Sequence, residues 1–463
     1  MRSYIVIDLG FGDAGKGLLT DFLARHLGAG LVVRYNGGAQ AGHNVVAPDG
    51  RHHTFAQFGA GTFVPGVRTY LSKYVVIHPA ALLVEGDRLV CQGVTDAFIR
   101  LRISDQARII TPFHQAANRI REFARGPQRH GSCGAGVGET VEDAHRHPTD
   151  CLLAGDLAQP AALRRKLCAI RERERAQVAP LCQGYALAAS LAREWAIFER
   201  EDMMDAWIAS ISRITGFGLV VSDSLLQRWM GETEAVLFEG AQGVLLDADA
   251  GFHPFTTWSN ATAANALDLV AEMAPGSPAC KIGVLRSNAV RHGPGPLPTE
   301  TDTLGALIRE HNHLNDWQGP VRYGWFDAVL ARYALAVTGG VDALAITHLD
   351  LLPRLKTWQY CPAYTGWRAF DDPPVEVRAS AGVLSNFRLP PSLTLDQRAA
   401  FTQTLSTLSP LLESCASDET TMLQKIASLL GQPVNIVSRG PSAKDVQILN
   451  SFPALYLLSH FAE

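Results

Sequence analysis

Tyr4-Ile-Val-Ile-Asp-Leu-Gly-Phe-Gly-Asp-Ala-Gly-Lys-Gly17 joins an apolar, β-branched run to a loop rich in glycine. A run of this kind is typical of a buried strand. The residues from Leu18 to His26 then carry apolar side chains at helical spacing, and Gly28 follows as a helix-terminating residue. Strand, glycine loop and helix in this order predict a turn whose backbone N–H groups bind phosphate oxygens.

The same alternation continues along the chain. A second strand is predicted at Leu31–Arg34, followed by a second glycine loop from Gly37 to Gly42. Strands separated by helical stretches predict an α/β protein with a mostly parallel central sheet. Further strand-like runs lie at 69–76, 235–238, 281–285 and 343–347. We expect a nucleotide-binding core over 1–104 and 215–285, a mainly helical insertion over 105–214, and a C-terminal α+β layer over 286–463.

Composition excludes several classes of protein. The 463 residues include 41 Lys+Arg and 45 Asp+Glu, which is not the basic excess typical of nucleic-acid binding. The 8 cysteines form no C-x-x-C pair, which argues against a zinc ribbon or a disulfide framework and fits a reducing compartment. No run of about 18 apolar residues could span a membrane. We therefore expect a cytoplasmic protein that binds neither nucleic acid nor membranes.

The first glycine loop has the spacing G-x-x-x-x-G-K, with Lys16 as a point charge for phosphate. Residue 17 is glycine, so the hydroxyl that holds Mg²⁺ in ordinary P-loop NTPases is missing. Asp13 offers a hard oxygen ligand in its place. Gly17 therefore disfavours an ordinary P-loop kinase or motor ATPase, while a purely structural glycine turn is the alternative.

Two other motifs place polar residues beside predicted strands. The loop from Arg34 to Asn44 presents His43 among small residues that let the backbone approach a ligand. The segment Leu237–Asp247 follows a strand and holds Glu239 and Gln242 in a tight turn. Both motifs suit a ligand site at strand ends.

Further loops extend this pattern towards the C-terminus. The segment 254–262 is rich in hydroxyl groups, which suit phosphate or ribose. Asp350 ends a strand-like run, and a carboxylate there can accept from the two N–H donors of guanine. Val437–Pro441 forms a turn of small residues, and Gly126–Gly138 is expected to be a mobile loop or a ligand lid.

In this order the motifs resemble the adenylosuccinate synthetase family over nearly the whole chain. The resemblance implies a GTP-dependent ligase that joins L-aspartate to IMP through a 6-phosphoryl intermediate, in purine biosynthesis. It also implies Mg²⁺ as cofactor and a homodimer. The residues that carry it are Gly12–Gly17, Arg34–Gly38, Ala41–His43, Phe238–Gly243, Thr257, Ser259, Asn260, Gly324–Val329, Thr347, Leu349, Asp350, Ser438, Gly440 and Pro441.

The resemblance also implies roles for single residues. Asp13 matches the base that deprotonates the purine, His43 the acid, Gln242 the residue that orients O6, and Lys16 a phosphate ligand. Mg²⁺ is expected on Asp13 and the carbonyl of Gly42. The GTP site comprises Gly12, Asp13, Ala14, Gly15, Lys16, Gly17, Gly42, His43, Asn44, Arg322, His348, Asp350, Ser438, Gly440 and Pro441. The purine monophosphate site comprises Gln40, Ser132, Cys133, Arg146, Gln242 and Thr257.

Several positions depart from the family pattern. Ala14 and Leu18 replace a family acid and base, Gln40 replaces an asparagine, and His348 replaces a lysine. The family's Thr-Thr-Gly-Arg-Gly is Ser-Cys-Gly-Ala-Gly at 132–136, and Arg146 is the best candidate for the arginine that a partner subunit supplies.

The stretch that the family uses for the amine donor also differs. From Asp316 to Trp325 it keeps one arginine, Arg322, where the family has three, and Arg322 is predicted to bind a donor carboxylate. The departures leave two alternatives open: a paralogue with another purine nucleotide acceptor or amine donor, and a catalytically silent nucleotide-binding protein.

Overall fold

A large twisted sheet forms the centre of the computed structural model, which describes residues 1–182, 189–308, 317–368 and 376–450. In chain order the strands are β1 (Arg2–Asp8), β2 (Leu31–Arg34), β3 (His43–Val46), β4 (His52–Phe55), β5 (Arg68–Leu71), β6 (Val76–Ile77), β7 (Leu101–Ser104), β8 (Arg108–Ile109), β9 (Val220–Val221), β10 (Ala235–Glu239), β11 (Ala279–Arg286), β12 (Ala289–His292), β13 (Val321–Gly324), β14 (Phe326–Asp327), β15 (Ala343–Thr347), β16 (Thr357–Thr365), β17 (Glu376–Ser380), β18 (Val383–Arg388), β19 (Ser409–Ala416), β20 (Val434–Ser438) and β21 (Val446–Ile448). The helices are α1 (Lys16–His26), α2 (Pro79–Cys91), α3 (Pro112–Ala124), α4 (Val137–Arg146), α5 (Pro160–Cys182), α6 (Ala189–Glu199), α7 (Met203–Gly216), α8 (Ser224–Gly231), α9 (Ala264–Met273), α10 (Asp302–Gly305), α11 (Ala328–Val337), α12 (Leu395–Thr407) and α13 (Glu419–Leu430).

Within the described residues the central sheet has ten strands, in the order β21-β20-β15-β11-β1-β10-β2-β5-β7-β9. All neighbours are parallel except β21, which is antiparallel to β20. β1 lies in the middle, where Ile5 pairs with Phe238 of β10 and with Lys281 of β11. This strand order confirms the predicted α/β fold with a mostly parallel central sheet. The sheet forms because its strands are buried apolar runs joined by helical crossovers.

One strand prediction is wrong in its second half. The run 69–76 was expected to be continuous, but β5 ends at Leu71 and the chain turns, with Val75 N–H donating to Ser72 O at 3.0 Å. Val76 then starts the separate short strand β6, which pairs with β8. The polar residues from Ser72 to Tyr74 form this turn, and they interrupt the apolar pattern that suggested one strand.

The segment 105–214 is mainly helical, with α3 to α7 packed around buried apolar residues such as Phe113, Leu167 and Phe198. The charged residues of α5 are only partly exposed to solvent. Glu172 is exposed, but Glu174 is only 2% exposed because it packs beside the guanidinium of Arg121.

Glu174→Gln is expected to stabilise the protein above neutral pH relative to the wild type. Burial raises the pKa of Glu174 to about 7, against 4.5 in an unfolded chain. The folded state therefore holds its proton more tightly, and the stability this group contributes is lost as pH rises from 4.5 to about 7. We expect a difference on the order of 1–3 kcal/mol at pH 8 by urea unfolding. Glu172→Gln, exposed on the same helix, is the control; parallel pH profiles for Glu174→Gln and wild type would contradict the assignment.

The C-terminal segment contributes to two layers. Its strands β15, β20 and β21 complete one side of the central sheet, while β14 and β16 to β19 form a second sheet beside it. Helix α11 packs between them, with Tyr333 stacked on Phe387. The proposed segment boundaries stay a prediction. Among the described helices, none combines the length and apolar character needed to cross a membrane.

Candidate active site

The predicted loops gather at one edge of the central sheet. β1, β2, β10, β11, β15 and β20 are parallel, so their carboxyl ends lie side by side. Ligands of doubly wound folds bind outside these ends. The first glycine loop follows β1, the loop with His43 follows β2, and the turn with Gln242 follows β10.

The phosphate loop is organised by Asp8, the last residue of β1. Asp8 Oδ1 accepts from Gly10 N–H, and Oδ2 accepts from Ala14 N–H and from Lys16 Nζ, each at 2.9 Å. Asp8 and Lys16 are 1% and 3% exposed. A carboxylate thus fixes the loop shape and the position of the lysine.

Close packing explains why residue 17 is glycine. A Cβ on Gly17 would lie 2.8 Å from Cβ of His43 and 3.2 Å from the carbonyl oxygen of Asn44. Serine or threonine would therefore push α1 away from β3. Gly243 is similarly constrained, because its Cβ would lie 2.1 Å from the carbonyl oxygen of Gly10. The glycines bring three loops into direct contact.

Three predicted site residues have left-handed backbone conformations that only glycine adopts without cost. Asp13, Gln242 and His348 have φ values of 58°, 57° and 60°, and Ala381 is the other non-glycine residue with positive φ in the described chain. Such strain persists where surrounding structure enforces it, and it clusters at functional sites. All three residues lie on loops that follow strands of the central sheet.

Asp13 lies where charges of both signs converge. Desolvation in the cleft raises the pKa of Asp13, and the neighbouring basic groups His292, Lys16 and Arg286 oppose that shift without cancelling it. Its side chain is still 37% exposed, so it is accessible to a ligand. Arg286 donates to the carbonyl oxygen of Asp13 at 3.2 Å and so fixes this part of the loop.

His43 forms a buried pair with Glu239. Its Nδ1 lies 2.5 Å from Oε1 of Glu239, whose Oε2 accepts from Ala60 N–H at 2.9 Å. Burial lowers the pKa of His43 to about 4, although Glu239 opposes this. Burial also opposes ionisation of Glu239, but Arg34 and His43 keep its pKa below the ordinary value. His43 is therefore neutral, donates from Nδ1, and keeps Nε2 for a ligand.

The loops after β2 and β10 are tied to the hydroxyl-rich segment. The side chain of Asn36 donates to the carbonyl oxygens of Ala241 and Asn260, and Ser259 Oγ accepts from Gly37 N–H at 2.9 Å. Thr257 N–H donates to Leu246 O at 2.7 Å. This network brings Gln40, Gln242 and Thr257 to one region.

The loop before α4 packs against the stretch predicted for the amine donor. Trp317 lies over Gly134, where a Cβ would come within 3.1 Å of its ring. Arg119 donates from Nε to Gly134 O at 3.1 Å and stacks on the same indole at 5.6 Å. Asp316 lies outside the described residues. Ser132 Oγ donates to Asn118 Oδ1 at 2.8 Å, and burial raises the pKa of the Cys133 thiol.

Arg146 and Arg322 both have partners within the chain. Arg146 ends α4, is 56% exposed, and pairs with Glu142 at 2.5 Å. Arg322 uses all three guanidinium nitrogens on the chain's own acceptors, the carbonyl oxygens of Gly293 and Gly295 and the carboxylate of Glu300. The donor role predicted for Arg322 would require it to leave one of these partners, and it stays a prediction.

The predicted guanine pocket lies at neighbouring strand ends. Ile346 of β15 pairs with Val437 of β20, so Asp350 and the turn from Ser438 to Pro441 leave the sheet side by side. Asp350 is exposed, and Ser438 Oγ donates to Gly440 O at 2.8 Å.

His348 and the residue before it join this pocket to the phosphate loop. Thr347 Oγ1 donates to Ala14 O at 2.8 Å. Burial, aided by Arg286, lowers the pKa of His348 well below its ordinary value, so this position is neutral.

Together, the phosphate turn, the strained Asp13 and the buried His43–Glu239 pair define a nucleotide-binding α/β enzyme equipped for phosphoryl transfer. A family model described as adenylosuccinate synthetase matches residues 5–447. The chain belongs to this family of GTP-dependent carbon–nitrogen ligases of purine nucleotide biosynthesis.

Known relatives agree with this assignment. The adenylosuccinate synthetase of Mycobacterium leprae is 34% identical over 378 residues, covering 81% of this chain and 83% of its own. That of Neisseria meningitidis is 30% identical over 452 residues, covering 97% and 99%.

Two solved structures share the fold. Fully ligated adenylosuccinate synthetase from Plasmodium falciparum matches with a TM-score of 0.74 at 19% identity, covering 96% of this chain and 99% of its own. The succinoaminodeoxyadenylate synthetase of cyanophage S-2L was solved bound to dGMP and to dATP as an energy donor. It matches with a TM-score of 0.58 at 19% identity, covering 97% of this chain and 96% of its own.

Sequence reasoning missed the roles of three residues. Asp8 was interpreted only as the end of a strand, Glu239 only as part of a turn, and His292 was not singled out. Asp8 directly precedes the glycine loop, and this position was a usable signal. The pairing of His43 with Glu239 spans 196 residues, and no local pattern indicates it.

Proposed function

We propose that this chain joins L-aspartate to IMP, with GTP as the phosphoryl donor. Asp13 removes the N1 proton of the purine, O6 attacks the γ-phosphorus, and GDP leaves. The unprotonated aspartate amine then attacks C6 and O6 departs with the phosphoryl group as inorganic phosphate, while the new C–N nitrogen loses one proton to solvent. The observation that supports the proposal most strongly is the direct packing of Gly17, in the phosphate loop, on His43 and Asn44. This packing makes the loop with Asp13 and Lys16 a neighbour of His43.

His43 acts as the acid in this scheme and donates a proton toward the phosphate as negative charge develops there. Its Nε2 is the ring nitrogen that Glu239 leaves available. Negative charge on the phosphoryl group stabilises the imidazolium form and so opposes the effect of burial. The ionised Glu239 supports the same form from the other side of the ring. Glu239 is thus a positioning residue that fixes the tautomer and orientation of His43.

Glu239→Gln is expected to lower kcat on the order of 10²-fold or more, while the KM for GTP changes less than threefold. The amide keeps the size of the side chain but removes the charge that supports protonated His43. Steady-state kinetics on a variant with an unchanged melting temperature would measure this. A kcat within twofold of the wild type would show that His43 does not act as an acid.

Two buried oxygen atoms without hydrogen-bond partners support the proposed position of the purine pocket. Oε1 of Gln242 and Oε1 of Gln40 are buried and have no partner among the residues that the structure describes. Buried polar atoms in this state await a ligand or water. We place the base beside Gln242 and Gln40, and the 5′-phosphate near Thr257, Ser132 and Cys133. Arg146 would reach the pocket of a partner subunit in a homodimer.

The family depends on magnesium. The residues present fit this ion, since the Asp13 carboxylate and the Gly42 carbonyl are hard oxygen donors in two exposed positions of the loops. When bound there, Mg²⁺ neutralises developing charge on phosphate oxygens. Lys16 and the loop from Gly12 to Gly15, with Asn44, contribute the remaining positive potential. Within this loop the N–H of Ala14 is held by Asp8, so Ala14 would contact the nucleotide without it.

A second candidate is the same chemistry on another acceptor. The cyanophage enzyme is bound to dGMP, and the acceptor rim of this chain departs from the family at Gln40 and at 132–136. Both candidate functions can be tested by measuring phosphate release in the presence of GTP and Mg²⁺. Each of IMP, dIMP, GMP and dGMP is combined with L-aspartate and with other amino acids. Release that requires IMP and aspartate supports the first proposal. Release with dGMP alone supports the second, and no release with any pair would support a silent nucleotide-binding protein.

A further inference from the structure

One histidine beside the catalytic loop belongs to none of the motifs considered so far. His292, the last residue of β12, places Nε2 3.9 Å from Oδ2 of Asp13. Building on the proposed function, we propose that His292 binds a carboxylate of the amine donor through Nε2–H and so positions the donor for the reaction.

The surroundings of the ring determine where its proton lies. Nδ1 of His292 is buried and has no hydrogen-bond partner among the described residues. A buried N–H without an acceptor is rarer and costlier than an unpaired acceptor. Nε2 therefore carries a proton, on the side of Asp13. At 3.9 Å this N–H is beyond hydrogen-bonding distance of Asp13 and can bind a ligand.

The backbone after His292 is held from two sides. Arg291 donates to Pro294 O at 2.9 Å and to Pro296 O at 3.1 Å. Arg322 donates to the carbonyl oxygens of Gly293 and Gly295 at 3.0 and 2.7 Å. A binding group on such a rigid turn loses little entropy when it engages a ligand.

The neighbouring arginines are already committed to the chain's own acceptors. Arg322 also pairs with Glu300 at 2.7 Å, and Arg291 is only 2% exposed. Arg286, 3% exposed, donates to the carbonyl oxygen of Asp13. A carboxylate bound by any of them would have to displace an existing partner. Binding at His292 requires no such exchange.

The position of His292 suits an amino acid. Its Nε2–H lies 3.9 Å from Asp13, the residue that receives the purine proton in the proposed reaction. A carboxylate bound there would therefore bring the amine on its α-carbon close to the purine. A cleft of about 530 Å³ opens next to His292, lined by Gly293, Pro294 and Trp317 among others, and has room for the donor side chain.

Two variants of the full-length protein test the proposal. His292→Leu removes the N–H, whereas His292→Gln keeps an N–H donor at a similar reach. We measure the KM for L-aspartate in the complete reaction. We also measure positional isotope exchange in GTP with purine monophosphate and no donor, which reports phosphoryl transfer alone. His292→Leu is expected to raise the KM for aspartate about tenfold to hundredfold and His292→Gln much less. Exchange should change far less than this KM, because Lys16 and Arg286 still oppose the raised pKa of Asp13 in both variants.

Each outcome decides the matter. An unchanged KM in His292→Leu overturns the proposal. Loss of isotope exchange in that variant also overturns it, because His292 would then act on Asp13 and not on the donor. If the wild type itself shows no exchange with any monophosphate, the proposed function fails instead. Calorimetric binding of L-aspartate to wild type and His292→Leu then still decides for or against His292.

Discussion

Asp13→Asn is expected to abolish turnover while GTP affinity stays within about tenfold, or roughly 1.4 kcal/mol. Asparagine cannot accept the purine proton and is a weaker ligand for Mg²⁺ than a carboxylate. The phosphate loop itself keeps its shape, because Asp8 and not Asp13 accepts from Gly10, Ala14 and Lys16. Calorimetry measures the affinity for GTP, and absorbance measures product formation, so that the two effects are determined separately.

Asp49→Asn is the matched control, since this carboxylate is exposed on the β3–β4 loop and pairs with Arg51. It should leave turnover unchanged. Activity retained in Asp13→Asn would remove Asp13 from the mechanism. Loss of GTP binding beyond tenfold would show that Asp13 is mainly a structural part of the phosphate loop.

A strong preference for GTP over ATP is the second large effect that we expect, and Asp350 is its source. A carboxylate accepts from N1–H and N2–H₂ of guanine but faces the N1 acceptor of adenine. A site that leaves a buried polar group without a hydrogen-bond partner when the wrong nucleotide binds can discriminate on the order of 10⁴-fold at best. Because Asp350 is exposed, we expect a smaller ratio, about 10²–10³ in kcat/KM.

Asp350→Ala should reduce the ratio of kcat/KM for GTP to that for ATP at least tenfold, because it weakens the binding of GTP more than that of ATP. Asp396→Ala, at an exposed position in the first turn of α12, is the control and should leave the ratio unchanged. Equal use of ATP and GTP by the wild type would contradict the assignment of the guanine pocket to Asp350 and the Ser438–Pro441 turn.

Local patterns predicted the parts of the site that depend on neighbouring residues. The strand from Tyr4 to Asp8 and the loop to Gly17 were found because apolar runs and glycine spacing are local properties. Parallel strand order then places the loops after β1, β2, β10, β15 and β20 at one edge of the sheet. The pattern also showed that residue 17 lacks a hydroxyl, but only packing on His43 explains why.

Long-range contacts could not be predicted in this way. Glu239 reaches His43 across the sheet, and its role follows from the neighbouring positions of β2 and β10. The commitment of Arg322 to Gly293, Gly295 and Glu300 likewise depends on the pairing of β12 with β13. A residue's type predicts what it can bind, whereas tertiary structure decides whether its binding atoms are available.

The central claim is that O6 of the purine attacks the γ-phosphate of GTP and later leaves with it. The most direct measurement uses IMP labelled with ¹⁸O at position 6, together with GTP, Mg²⁺ and L-aspartate. Mass spectrometry of the phosphate released then identifies the source of its oxygen. We expect one ¹⁸O atom in each phosphate formed with product. Unlabelled phosphate would contradict the account, because the γ-phosphoryl group would then have been transferred to water and not to the purine.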